Sequence, residues 1–433
     1  SNIWVTVYSQ NFGLVKEVRS FELKKGTQEI QLREIPALID PTSVHLRSLT
    51  APRSVSILEQ YFENDVVDPN KILSKHIDKE IEISTSKGEV LRGKLLNAGA
   101  DLVIALANGE IMLIRNKETA SIKFPGLPEG LVTKPFLTWV INSESNKEHQ
   151  FEMEYLTRGL NWHAEYVAIL AADEATLDIG AWMNIDNKSG ASYNRARLNL
   201  VAGDVNLAQE RGPTPRFKML QAEVMSVQAD VTERESFEYH LYTIERPVTL
   251  ANNQLKQISF FDAEHVKVNK KYVLDSMYDN KKVRIHLRFR NEEKNELGLP
   301  FPAGRFRVYK REDAEGSIFL GEDRIKHTPE NEWLEIFVGA AFDLTADRKQ
   351  VKVERIAKQG QLEAYEITLR NHKSRSVTVA VIEHFRFRMP TSGWKIIESN
   401  YDYTVKDSRS VEFMVEIPED EERKLSYSVE YSW

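Results

Sequence analysis

YLTRGLNWHAEYVAIL (Tyr155–Leu170) and LDIGAWMNIDNKSGASYNRARLNLVAGDVN (Leu177–Asn206) decide the fold. In the second stretch Leu177, Ile179, Ala181, Met183 and Ile185 alternate with Asp178, Gly180, Trp182, Asn184 and Asp186. A period of two with one apolar face means a half-buried strand. The strand runs into Asp186–Gly190, where Asn187 and Gly190 suit a turn better than a metal-binding loop. The same alternation recurs along the chain. Val283, Ile285, Leu287 and Phe289 face away from Arg284, His286, Arg288 and Arg290, and Leu425, Tyr427, Val429, Tyr431 and Trp433 alternate with Ser426, Ser428, Glu430 and Ser432. Strands with one wet and one dry face build antiparallel sheets and sandwiches. Long helical periodicity is scarce, so the expected class is all-β: several antiparallel β-sandwich domains.

Composition agrees. The chain has 433 residues, room for two to four domains at roughly 100–200 residues each. No apolar run approaches the ~18 residues that span a bilayer, so no transmembrane segment is expected. The chain opens almost directly into a strand at Ile3–Tyr8 without a basic or apolar leader, and Ser1-Asn2 reads as the scar of a removed one. There is no cysteine, which excludes disulfides, thiolate metal sites and a cysteine nucleophile. A net charge of −7 argues against a general nucleic-acid binder.

Punctuation divides the chain. Residues 1–65 and 126–206 read as two parts of one N-terminal β-sandwich. Residues 66–125 interrupt it: Asp68-Pro69 starts a short helix, and Lys87-Gly88, Asn97-Ala98-Gly99 and Asn108-Gly109 separate five short strands. That layout resembles an SH3-like or Sm-like small barrel. Phe136–Ile141 resumes the sandwich. Residues 207–236, opened by Arg211-Gly-Pro-Thr-Pro215, read as a mobile linker or one short helix over Phe217–Val227. Residues 237–330 and 331–433 read as a middle β domain and a C-terminal β-sandwich.

The Tyr155–Asn206 stretch resembles the core of the bacterial family called domain of unknown function 4139, found in mucoidy-inhibitor-A-like proteins. The likeness continues in Val5–Gly26, Ile35–Leu46, Leu299–Glu312, Phe319–Pro329 and Val338–Lys349. The resemblance implies a multi-domain β protein of the bacterial envelope or exterior, periplasmic or secreted. The family supplies no catalytic residues to carry over.

Candidate chemistry is sparse. His163 and Glu165 share one face of a strand, a pair that could join a metal site if a third ligand were at hand. Outward-facing strand residues are the simpler reading. Glu322, Asp323, Arg324 and His327, with Asp343 and Asp347, form the most polar part of the second half. Their spacing matches no calcium loop, and turn-forming acids explain them more cheaply. Three basic stripes, Arg284/His286/Arg288/Arg290, Arg305/Arg307 and His384/Arg386/Arg388, are candidates to converge on a polyanion such as an acidic glycan. The small barrel has only Phe124 as a stacking aromatic, so RNA is disfavoured. No nucleophile elbow, phosphate loop or dinucleotide fingerprint occurs. The sequence therefore assigns no catalytic, cofactor-binding or metal residue, and no cofactor. The expectation is a non-catalytic binding protein of the envelope, taking a protein or glycan partner. The alternative is a hydrolase acting on envelope polymers.

Overall fold

A computed structural model describes residues 3–99, 101–203, 205–206, 231–236, 239–312, 316–357, 360–385 and 393–433. The chain is all-β. Its described strands form sheets of seven, five, three, five and nine members, and among the described residues the one α-helix is Pro69–Lys75, about two turns long.

The alternating residues lie where their pattern requires. Leu177, Ile179, Ala181, Met183 and Ile185 are buried on the strand Thr176–Asn187. They join Val5, Val15, Phe151, Trp162 and Tyr166 in one core between the seven-stranded sheet and the five-stranded sheet that contains Thr176–Asn187. Leu425, Tyr427 and Val429 are buried in a second core with Val379, Phe413 and Leu369. Fully burying one such side chain is worth roughly 1.5–3 kcal/mol, so these two cores dominate the stability.

The strand pairing repeats. Ile3–Tyr8 pairs antiparallel with Phe12–Leu23 and parallel with Tyr193–Ala202. Asn269–Asp275 pairs antiparallel with Lys282–Arg290 and parallel with Val377–His384. Phe12–Leu23 then pairs with Lys147–Arg158, and Lys282–Arg290 with the first half of Trp333–Ala357. Leu160–Leu170 pairs with Thr176–Asn187 and that strand with Gln254–Lys267. Correspondingly, the second half of Trp333–Ala357 pairs with Gly360–Asn371 and that strand with Glu422–Ser432. Tyr193–Ala202 pairs with Tyr239–Leu250 as Val377–His384 pairs with Ser410–Ile417.

Matching hydrogen bonds lock both copies. Asn187 Nδ2 donates to the carbonyls of Ala191, Leu250 and Ala251, and Asn371 Nδ2 donates to those of Arg375, Ile417 and Pro418. Lys188 N donates to Gly159 O as His372 N donates to Asp343 O. The chain is thus two copies of one pairing pattern, residues 3–267 and 269–432. Each copy carries an insertion at the same place, residues 24–146 in the first and 291–332 in the second. The 237–330 stretch forms no sheet of its own, because its strands are shared among three sheets. The pairing places the internal boundary at Val268 rather than near residue 330. Alternation tells which face a residue takes, not which strand lies beside it, so the sequence could not show this.

The first insertion contains the small sheet. Asp68 caps the helix by accepting from Asn70 N at 2.9 Å, with Pro69 at its first position. Five strands follow, Glu80–Thr85, Val90–Ala98, Leu102–Leu106, Ile111–Ile114 and Thr119–Lys123, the last pairing back onto the first. They enclose a separate core of Ile81, Ile83, Leu95, Leu102, Ile104 and Ile114. Among the described residues no ladder joins Ile111–Ile114 to Thr119–Lys123, so the sheet keeps two edges. Residues 207–230, where the linker and the helix Phe217–Val227 were expected, lie outside the described residues. Val231–Ser236, expected as the end of that linker, is a strand on the edge of the seven-stranded sheet.

Candidate functional site

The second insertion builds the most structured polar cleft. Its strand Gly304–Glu312 lies parallel to Leu160–Leu170, and Gly316–Ile325 pairs beyond it. Gly304 permits the approach, because a Cβ there would lie 2.2 Å from Ala164 O. Tyr166 fixes the register: its ring stacks on Phe301 and Phe306, and its hydroxyl donates to Pro302 O at 2.8 Å.

This packing brings together residues about 140 positions apart. Glu165 is buried beside Arg305, and both its oxygens are engaged. Arg307 Nη1 donates to Oε2 at 2.7 Å, Arg305 Nε to Oε1 at 3.2 Å, and His163 Nε2 stands 3.2 Å from Oε1. Arg307 Nε also reaches Glu322 Oε2 at 3.2 Å. His327 Nδ1 accepts from Ala303 N at 3.1 Å, which leaves the neutral ring its proton on Nε2. His163, Glu165, Arg305 and His327, with Asn161 and Arg324, line a half-open cleft of about 560 Å³. Among the described residues Arg324 pairs with no carboxylate, and it is exposed at the cleft wall. With Glu165 counted against Arg305 and Arg324, the lining carries a net positive charge even when both histidines are neutral.

Two candidate groups seen separately in sequence, His163/Glu165 and Glu322/Arg324/His327, thus meet, and Arg305/Arg307 joins them. The other candidates do not. Asp323 accepts from Phe337 N at 2.8 Å, Asp343 pairs with Lys373, and Asp347 pairs with Lys349. Asp186 pairs with Lys188 in the turn, and Asn187 and Gly190 serve the strand-end lock there. The Arg284–Arg290 stripe is used structurally. Arg284 lies over Tyr278 and Phe337, Arg288 over Trp333, His286 pairs with Glu335, and Arg290 with Glu292. His384 pairs with Asp275, while Arg386 and Arg388 lie outside the described residues. Among the described residues, therefore, the stripes do not converge. Among the described residues no three His, Asp or Glu side chains stand together as a metal site would need. A larger and shallower hollow beside Pro125–Glu129 is lined by groups already bonded: His76 Nδ1 to Ile72 O, and Lys75 to Asp65 and Glu129 O.

Fold and cleft define an all-β protein of two pairing repeats, with a charged cleft where the second repeat's insertion docks on the first. A family model for a domain of unknown function (DUF4139) matches residues 151–433, and one for an N-terminal domain of unknown function (DUF4140) matches residues 5–101. The chain belongs to the DUF4139 family. The second match ends inside the small sheet, and the first begins just ahead of the strand that carries Glu165. No match is found among curated proteins. No described helix is long and apolar enough to cross a membrane.

Proposed function

We propose that the protein acts by binding rather than by catalysis, and that the cleft holds an anionic partner. The observation that carries this is the occupancy of Glu165. Two arginines and a histidine take both its oxygens, while the guanidinium of Arg324 at the wall pairs with no carboxylate among the described residues. A hydrolytic reading needs a carboxyl group poised to give or take a proton. A carboxylate held by two guanidiniums is instead a scaffold that orients them, and guanidiniums so oriented recognise carboxylates and phosphates. The setting we propose is the bacterial envelope or exterior, with a glycan or protein as partner; the family resemblance supports it. We read the small sheet as an SH3-like or Sm-like module, supported by its leading helix and five-strand order.

Calorimetric titration with citrate, a probe for carboxylates, tests the cleft. Binding should weaken with added salt, as exposed charge pairs do. It should also weaken about tenfold or more in Arg324→Ala, the range of a charge-assisted hydrogen bond. Equal binding by the wild type and Arg324→Ala would overturn the reading.

A further inference from the structure

We infer that the outer face of the cleft-bearing sheet binds a short carboxylated saccharide, with Trp182 as its stacking platform. The inference rests on the anion-binding reading above and names its ligand class.

The pairing registers place five residues in one transverse row. Ser259 lies opposite Trp182, Trp182 opposite Glu165, Glu165 beside Arg305, and Arg305 opposite Arg324. Directly paired residues share a face of the sheet, so all five project to the same side. From Trp182 to Arg324 the row crosses three strand spacings, about 14 Å. Trp182 is 40% exposed in the middle of a sheet, where an indole would normally be covered. Among the described residues it has no aromatic or hydrogen-bond partner, although Trp139, Trp162 and Trp394 each donate their indole N–H. Gly180, next on its face of the strand, brings no side chain to that flank of the indole; the nearest group over it is the Asp262 carboxylate, 3.1 Å from where a Gly180 Cβ would stand.

The chemistry of the row selects the ligand. A pyranose ring offers an array of C–H bonds to an aromatic face and a rim of hydroxyls to polar neighbours. Trp182 supplies the aromatic face, with Asn184 and Glu165 as its same-face neighbours and Arg305 one strand further along the row. At the far end Arg324 offers its guanidinium fork to a carboxylate on a neighbouring sugar, and Arg305, whose Nε and Nη2 are held by Glu165, adds positive charge beside it. A wholly apolar ligand would bury these charges unpaired. A neutral saccharide would leave Arg324 unused.

Titration with trigalacturonate, maltotriose, triglutamate and citrate tests this. Trigalacturonate should bind about tenfold or more tightly than citrate, and maltotriose weakly. Trp182→Ala should lower trigalacturonate affinity about tenfold and leave citrate affinity unchanged, while Trp182→Tyr, which keeps a ring, should retain most of it. Arg324→Ala should weaken both ligands. An unchanged trigalacturonate affinity in Trp182→Ala, or triglutamate or maltotriose binding as tightly as trigalacturonate, would overturn the saccharide while the anion cleft stood. Unchanged binding of both citrate and trigalacturonate in Arg324→Ala would overturn both. Unchanged melting temperatures, expected for half-exposed positions, confirm that the variants fold.

Discussion

Single buried side chains hold the strand ends of this protein in place. Asn187 and Asn371 each give their amide protons to three carbonyls where two hairpins meet. Both asparagines are almost wholly buried. Asn371→Ala leaves carbonyls unsatisfied and should cost about 3 kcal/mol in chemical denaturation. Asn371→Asp should be no better, since a carboxylate has no proton to offer three carbonyl oxygens. A cost near zero for either would show that the lock is incidental. His149 makes a second residue-scale prediction. It is fully buried, its Nδ1 has no partner among the described residues, and burial, helped by Lys147, lowers its pKa from the ordinary 6.5. The unfolded chain takes up this proton near pH 6.5 and the folded chain only at lower pH. The contribution is therefore fully present above about pH 6.5 and lost as pH falls through the folded value. Stability measured from pH 7 to 5 should fall less in His149→Leu than in the wild type; parallel curves would contradict this. Asn187 was legible in sequence as a turn residue, but its partners Leu250 and Ala251 were not, because nothing local announces a bond across 63 residues.

At the scale of elements, alternation foretold the strands and Gly and Asn punctuation foretold the small sheet's turns. Both signals are local. The parallel pairing of Gly304–Glu312 with Leu160–Leu170 is not, so the cleft was visible only as separate fragments. Trp182 stood in the sequence merely as a wet-face residue; its place in a row with Arg324 depends on three registers at once. The small sheet is the element most separable from the rest. It has its own core, and its ends are tied together: Val67 N donates to Val132 O and Val132 N to Asp65 O, both at 2.9 Å. Replacing Asp68–Gly130 by a short Gly-Ser bridge should leave these bonds, and so a single cooperative unfolding transition within a few degrees of the original. The bonds lost with it include the pairs of Asp65 with Lys71 and Lys75, which are exposed and contribute little. A broad, non-cooperative melt would show that the sheet supports the surrounding sandwich.

Across the whole molecule, two copies of one pairing pattern carry different insertions, and the insertions set the copies apart. In the first copy the strand Leu160–Leu170 gains Gly304–Glu312 as a neighbour and with it the arginine pair. In the second copy the equivalent half of Trp333–Ala357 beyond Thr345 pairs on one side only among the described residues, and Val351, Val353 and Ile356 along it are exposed. Hairpin equivalence puts Asp347 and Lys349 where the first copy has His163 and Glu165, so the charged cleft belongs to one copy alone. The repeat supplies the frame, and the docked insertion supplies the chemistry. A crystal structure of the protein soaked with trigalacturonate tests this most directly. Ligand density is expected along Trp182, Glu165, Arg305 and Arg324, with a ring over the indole and a carboxylate at Arg324. Density confined to the hollow beside His76 and Pro125, or to the second copy's face, would contradict it.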